Sequence, residues 1–399
     1  MKRILALDGG GIRGVFTLEV LVQIEKLLRE YYAKQDPEKA KTFVLRDHFD
    51  FLAGTSTGAI IATCLCWGMS VEKVRNLYLA EGRRMFEKVS FLTPTEKLAS
   101  LYDPKPLTCF LKKLFLEPAP ETGKLVPATL ASPLLRNGEK KNFLMVVVRN
   151  HTTGSAWPLT NNPDAIYNDP SRPDDNRQIP LWQLVRASTA APAFFPPERV
   201  LLGETESVFV DGSVTPYSNP ALIAALTAIL PGYHMDWPTG PENIRVVSIG
   251  TIAFSSEVPI GDPKVRLGIL ATRIPAAVLQ SLTALLQSTG WQQDYLCRCL
   301  GECIFGEILD GEVGYLVDAL DAANKDSTGK IKIPVWRPRP TESWFSYVRY
   351  NRTYRKKEME QILENNPDLK RIDAIGAIPR LMDIGKAYAE ANVKLEHLI

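Results

Sequence analysis

Histidine is scarce in this chain: four in 399 residues, at positions 48, 151, 234 and 397. A hydrolase built on serine, histidine and an acid needs one of them beside its serine. His48 stands at the wrong end of the strand pattern it precedes, His397 falls near the C-terminus, and neither His151 nor His234 ends a strong strand pattern. The histidine supply therefore argues against a triad. Long apolar runs are lacking too. No stretch reaches the ~20 apolar residues that a membrane-spanning helix requires, and the longest candidates, 59–67 and 221–230, have the length of buried helices. The apolar run after Met1-Lys2-Arg3 is too short for a secretory signal, and Asp8 with three glycines interrupts it. The expectation is a cytoplasmic protein. Charge of one sign is missing as well: 47 basic against 45 acidic residues leave a net +2, which gives no reason to expect a nucleic acid polymer as partner. Six cysteines supply no metal pattern. Cys297, Cys299 and Cys303 are spaced C-x-C-x3-C with no local histidine or fourth cysteine, and Cys64 and Cys66 sit in an apolar helix pattern, so buried free thiols are expected, with no metal and no cofactor.

What is present reads as alternating strands and helices. Arg3–Leu7, Phe49–Ala53, Phe143–Val148, Val208–Val210 and Ile244–Ile249 have strand composition. Between them Val15–Tyr31, Ala59–Trp67, Val71–Phe86, Leu181–Ser188 and Pro220–Leu230 have helical spacing. That alternation predicts an α/β fold: a mainly parallel central sheet with helices on both faces. Residues 89–138 and 160–180, rich in proline, asparagine and aspartate, are expected to be loops or covers. The chain is expected to be one domain over 1–399, with a core to about 255 and a mostly helical elaboration over about 256–399.

Two glycine-rich turns carry the chemistry. Gly54-Thr55-Ser56-Thr57-Gly58 is a G-x-S-x-G sequence that follows a strand pattern and opens a helix pattern. Such a turn is tight enough to strain the serine backbone and project its hydroxyl from the sheet edge, above the unpaired N–H groups of a helix start. Taken alone, Ser56 could be a helix cap. The candidate base is Asp211, in Phe209-Val210-Asp211-Gly212; desolvation would raise its pKa toward that of a useful base. An Asp-Gly turn is its plainer reading. Gly9-Gly10-Gly11, with Arg13 close by, can direct several N–H groups into one small space, as an oxyanion requires. The same residues match G-x-G-x-x-G, but no acidic residue ends a second strand ~20 residues on, as a dinucleotide site would need.

Together Asp8–Gly14, Gly54–Gly58, Asp211-Gly212, the block Arg186–Pro197 and Val247–Thr251 resemble the patatin-like phospholipases, in order over about residues 3–251. The resemblance implies a three-layer fold and a Ser–Asp dyad that needs no histidine. Ser56 would be the nucleophile, Asp211 its partner, and Gly9, Gly10, Gly11 and Arg13 the oxyanion site. One departure shows: Ser213 stands where the family usually has a second glycine. The implied substrate is membrane glycerophospholipid, met peripherally at the inner membrane. Neutral-lipid lipase or acyltransferase chemistry could use the same dyad, and a nucleotide-sensing protein with a vestigial dyad is the rival from outside enzymes. Bacterial members with C-terminal elaborations include anti-phage effectors switched on by cyclic di- or trinucleotides. Residues 346–351 and the helical tail are similar to those members, so such an activator is expected as a partner, with a homo-oligomer compatible. Arg266, Arg273, Arg298, Arg349 and Arg352 are candidate phosphate ligands that ion pairing would explain equally well. Val89–Pro94 reads as a lid or membrane-touching edge, or as ordinary packing, and Leu279–Leu286 as a helical cover.

Overall fold

Successive side chains on a strand point to opposite faces of a sheet. In the central strands both sets are apolar, so both faces must be covered. A computed structural model describes residues 1–85, 100–136, 142–254, 274–307, 342–354 and 356–399. In chain order the elements are β1 (Lys2–Leu7), α1 (Gly14–Ala33), α2 (Pro37–Thr42), β2 (Phe51–Thr55), α3 (Thr57–Cys66), α4 (Val71–Met85), α5 (Lys105–Leu114) and the small hairpin β3 (Leu116–Pro118) and β4 (Leu125–Pro127). There follow β5 (Phe143–Asn150), β6 (Ser155–Thr160), α6 (Leu181–Ser188), β7 (Glu198–Leu202), β8 (Thr205–Asp211), α7 (Ala221–Ile229), β9 (Ile244–Ile249) and β10 (Ala253–Phe254). The long helix Ile274–Leu300 leads to β11 (Glu302–Phe305), β12 (Ser346–Tyr350) and β13 (Thr353–Tyr354), and helices Lys356–Asn365 and Ile378–Asn392 follow.

Among the described residues the central sheet has nine strands in the order β11–β12–β9–β1–β2–β5–β8–β7, with β6 also paired to β5. From β11 to β5 every pairing is parallel. Strands β6, β8 and β7 run antiparallel to their neighbours. Leu5 and Leu7 of β1, Leu52 of β2 and Val247 and Ile249 of β9 enter one apolar layer with α1 and α3. Ile4, Ala6, Phe51, Ala53 and Val246 enter the other, against α7 and the Cys297 end of the long helix. Each such leucine, isoleucine, valine or phenylalanine side chain, wholly removed from water, contributes about 1.5–3 kcal/mol. The fold is the α/β arrangement expected, a mostly parallel sheet between helical layers.

Two stretches differ from the sequence expectation. Within residues 89–138, α5 forms because Leu107 and Leu111, one turn apart, both bury. Beyond residue 255 the chain is not only helical: β11 and β12 belong to the central sheet. All five residues of β12 are buried, but Ser346 and Arg349 interrupt its apolar pattern and hide it from a periodicity reading. Val89–Pro94, Arg266 and Arg273 lie outside the described residues. Leu279–Leu286 falls within the long helix. Among the described residues no helix is long and apolar enough to cross a membrane.

Candidate active site

Strand β2 ends at Thr55 and α3 begins at Thr57, leaving Ser56 alone to turn the chain. It does so at φ 55°, ψ −122°, a conformation that costs a side-chain-bearing residue on the order of 1–3 kcal/mol. The flanking glycines make the turn possible by close approach. A Cβ on Gly58 would lie 2.1 Å from the Leu7 carbonyl oxygen, and one on Gly54 would lie 2.2 Å from the Gly58 carbonyl oxygen. The strain is held from two sides. The Ser56 N–H donates to Ser188 Oγ (2.9 Å), and that hydroxyl donates in turn to the Val147 carbonyl on the neighbouring strand (2.7 Å).

The Ser56 hydroxyl donates to Asp211 Oδ2 at 2.7 Å, with both residues buried. In parallel strands the C-terminal ends share one edge, but β8 runs the other way, so direction does not bring Asp211 to Ser56. Register does: Asp211 pairs with Val148, one residue past the Val147 that pairs with Thr55. Burial pushes the Asp211 carboxyl up to about 6, although the Ser56 hydroxyl, the Ser213 N–H (2.7 Å from Oδ1) and the Arg186 charge all pull it down. Arg186 is itself 1% exposed, over the Phe195 ring at 5.2 Å, and donates to the Pro196 carbonyl.

Across the same edge lies the glycine turn after β1. The Gly9 N–H, expected among the oxyanion donors, donates here to the Ser218 carbonyl at 3.0 Å. The N–H groups of Gly10 and Gly11 have no hydrogen-bond partner among the described residues. The turn's carbonyls are held instead: Thr251 Oγ1 donates to Gly9 O (3.1 Å) and Tyr78 Oη to Gly11 O (2.6 Å). Arg13 lines the same cavity, and burial lowers its pKa to about 10.

Ser56, Asp211, Gly9, Gly10, Gly11 and Arg13 thus converge on one cavity of about 120 Å³. Its walls are largely apolar, with Ile60, Leu107, Phe194, Phe195, Trp291 and Ile372 among them. None of the four histidines lines it. His48 bonds Tyr32 and the Leu398 carbonyl, and His397 stacks on Phe305. Among the described residues no cluster of three or more histidine, cysteine or carboxylate side chains is placed to hold a metal. Of the candidate phosphate ligands, Arg298 pairs with Asp294, Arg349 with Asp8, and Arg352 with Glu307 and Glu358. Sequence reasoning did not reach Ser188, Tyr78, Trp291 or Ile372. Only Ser188 carried a signal, its place in the Arg186–Pro197 block; the others meet the site through long-range packing.

The site thus sets a serine on a strained strand–helix turn, bonded to a desolvated aspartate, beside two open N–H groups. The family model described as patatin-like phospholipase matches residues 5–225, over half the chain, and the protein belongs to that family. It is 27% identical over 254 residues to a cGAMP-activated phospholipase of Escherichia coli (strain TW11681), covering 63% of this chain and 62% of that protein. A cGAMP-activated phospholipase of Vibrio cholerae is 26% identical over 260 residues, covering 63% and 64%. Patatin-like protein 1 of Arabidopsis thaliana is 30% identical over 267 residues, covering 62% and 58%. The chain thus matches less than two thirds of the length of each relative.

Proposed function

We propose that this protein is a lipid acyl hydrolase that cleaves fatty-acyl esters of membrane glycerophospholipids with Ser56 as nucleophile and Asp211 as base. The observation that carries the reading is the 2.7 Å hydrogen bond from Ser56 Oγ to a buried Asp211 carboxylate. As Oγ attacks the ester carbonyl, its proton passes to Oδ2 of Asp211, and the carbonyl oxygen becomes an oxyanion facing the Gly10 and Gly11 N–H groups, with Arg13 nearby. Collapse of that intermediate releases the lysolipid alcohol, which takes the proton from Asp211. A water then gives its proton to Asp211 and attacks the acyl-serine, and the fatty acid leaves as Ser56 recovers its proton. The apolar walls suit an acyl chain. The charge and proton accounting closes without histidine or metal.

Activation by a cyclic di- or trinucleotide is part of this proposal. Its support is the similarity to two relatives named as cGAMP-activated. The protein would then act peripherally on a bilayer when switched on. The test is fatty-acid release from mixed phospholipid vesicles, with and without cyclic nucleotides, by the wild type, Ser56→Ala and Asp211→Asn. Each substitution is expected to lower release by about 10⁴-fold or more. Undiminished release from either variant would remove the dyad. Release unaffected by any cyclic nucleotide would remove the activator.

A further inference from the structure

The glycine turn has no side chains with which to hold itself. Gly10 and Gly11 must nonetheless present their N–H groups to one point with little freedom, so their direction is imposed from outside. Part of that hold comes from the second half of the chain. The Ile372 carbonyl accepts the Ile12 N–H at 2.8 Å. More strongly, Asp8, the residue before the turn, is gripped at both ends. Its N–H donates to the Ile249 carbonyl (3.1 Å). Its carboxylate takes two parallel hydrogen bonds from Arg349 on β12, at 2.9 Å to Oδ1 and 2.5 Å to Oδ2.

Arg349 is 4% exposed and fixed in turn. Its Nη1 also donates to Ser248 Oγ at 2.7 Å. Its Nε lies 3.7 Å from Asp294 Oδ2 on the long helix, and Asp294 is held by a forked pair with Arg298 at 2.9 and 3.1 Å. Burial works against the Arg349 charge, but Asp8, together with Tyr347 and Asp294, more than offsets it and raises the guanidinium pKa. A buried ion pair is a poor way to gain stability, since apolar residues of the same volume often do better. A forked arginine–carboxylate pair does, however, fix two planes relative to each other.

We propose that Arg349 is a positioning residue for the reaction: its forked pair with Asp8 sets the direction of the Gly10 and Gly11 N–H groups. The proposal rests on the reading of those groups as the oxyanion donors, and it adds a residue 341 positions from Asp8 to the machinery. Arg349 lines the cavity, but both of its Nη atoms are engaged by Asp8 and Ser248, so it acts through Asp8. The alternative for this side chain, a phosphate ligand, would require it to abandon Asp8.

The test compares Arg349→Lys with Arg245→Lys. Arg245 is a buried arginine at the opposite end of the neighbouring strand, bonded to Ser346 Oγ and the Ile399 carbonyl, and serves as the control for loss of a buried guanidinium. Lysine keeps the charge at 349 but cannot make the fork. Amide hydrogen exchange over residues 8–14 is expected to quicken at least about tenfold in Arg349→Lys only, with residues 57–66 unchanged. The kcat for ester cleavage is expected to fall about 10- to 100-fold with KM within about twofold. A trifluoromethyl ketone lipid, which forms an oxyanion, should bind less well, and a non-hydrolysable ether phospholipid equally well. Unchanged exchange over 8–14 overturns the proposal, as do equal losses in the two lysine variants. Should Arg349→Lys fail to fold, the uncharged pair Asp8→Asn with Arg349→Gln is read by the same measurements, and unchanged exchange and kcat there overturn it too. The exchange measurement does not require activity. A wild type that hydrolyses no lipid would thus defeat the functional reading while the positioning question was still answered.

Discussion

Asp211 meets two demands that conflict. As the proposed base it must be ionised to accept a proton, and as a buried group it resists ionisation, so its pKa of about 6 sets an acid limb on the reaction. The kcat/KM is expected to fall about tenfold per pH unit below about pH 6, with no loss on the alkaline side attributable to this group; a profile flat to pH 4.5 would contradict it. The same displacement has a cost in stability. A carboxyl whose folded pKa is raised stabilises the fold fully below its unfolded value near 3.8, and that contribution is lost as pH rises through about 6. The change from 3.8 to about 6 corresponds to about 3 kcal/mol. Asp211→Asn should therefore raise the melting temperature at pH 7.5 while abolishing cleavage, and its advantage should vanish near pH 4, as read by calorimetry across pH. Ser188 lies one step further out. Ser188→Ala removes the acceptor of the Ser56 N–H, and kcat is expected to fall about tenfold with folding retained. Ser56 was legible in the sequence because two glycines around a serine between a strand and a helix leave few other purposes. Ser188 had only its place in the Arg186–Pro197 block, since bridging Ser56 to Val147 is a fact of tertiary contact.

At the scale of elements, the turn between β2 and α3 depends on α3 lying against the end of β1. Gly58 is the point of contact, and Gly58→Ala should push the helix start away from Leu7 and Asp8. Both cleavage and stability are expected to drop, by at least about 2 kcal/mol in denaturant unfolding, because the atoms met are backbone. The strands of the first 250 residues were readable because β1, β2, β5 and β9 are nearly unbroken apolar runs, as strands buried on both faces should be. The direction of β8 was not readable: local sequence records that Val208–Val210 is extended, and only its pairing with β5 shows which way it runs. What places the site is the offset that pairs Asp211 with Val148, which local sequence does not record. In β12, Ser346 and Arg349 are buried through partners distant in sequence. A buried arginine reads as a surface residue until its partner is known.

At the scale of the whole molecule, the sheet does not end with the strands that carry Ser56 and Asp211. Strand β9 pairs with β1 on one side and with β12 on the other. A fragment of residues 1–255 would leave the apolar β9 with an open edge and Asp8 without Arg349. Such a fragment is expected to aggregate or to unfold without cooperativity, judged by circular dichroism and soluble yield. A cooperative fragment that still cleaves lipid would show that the added strands are dispensable.

The placement of β12 also puts the protein on a clock. A chain grows at about 5–20 residues per second, and Ser56 and Asp211 leave the ribosome well before residue 349 is made. The cleft wall that holds Arg349, Asn351 and Ile372 does not exist until those residues have been made. Until then the growing polypeptide carries the serine and the aspartate without the frame that orders the turn opposite them.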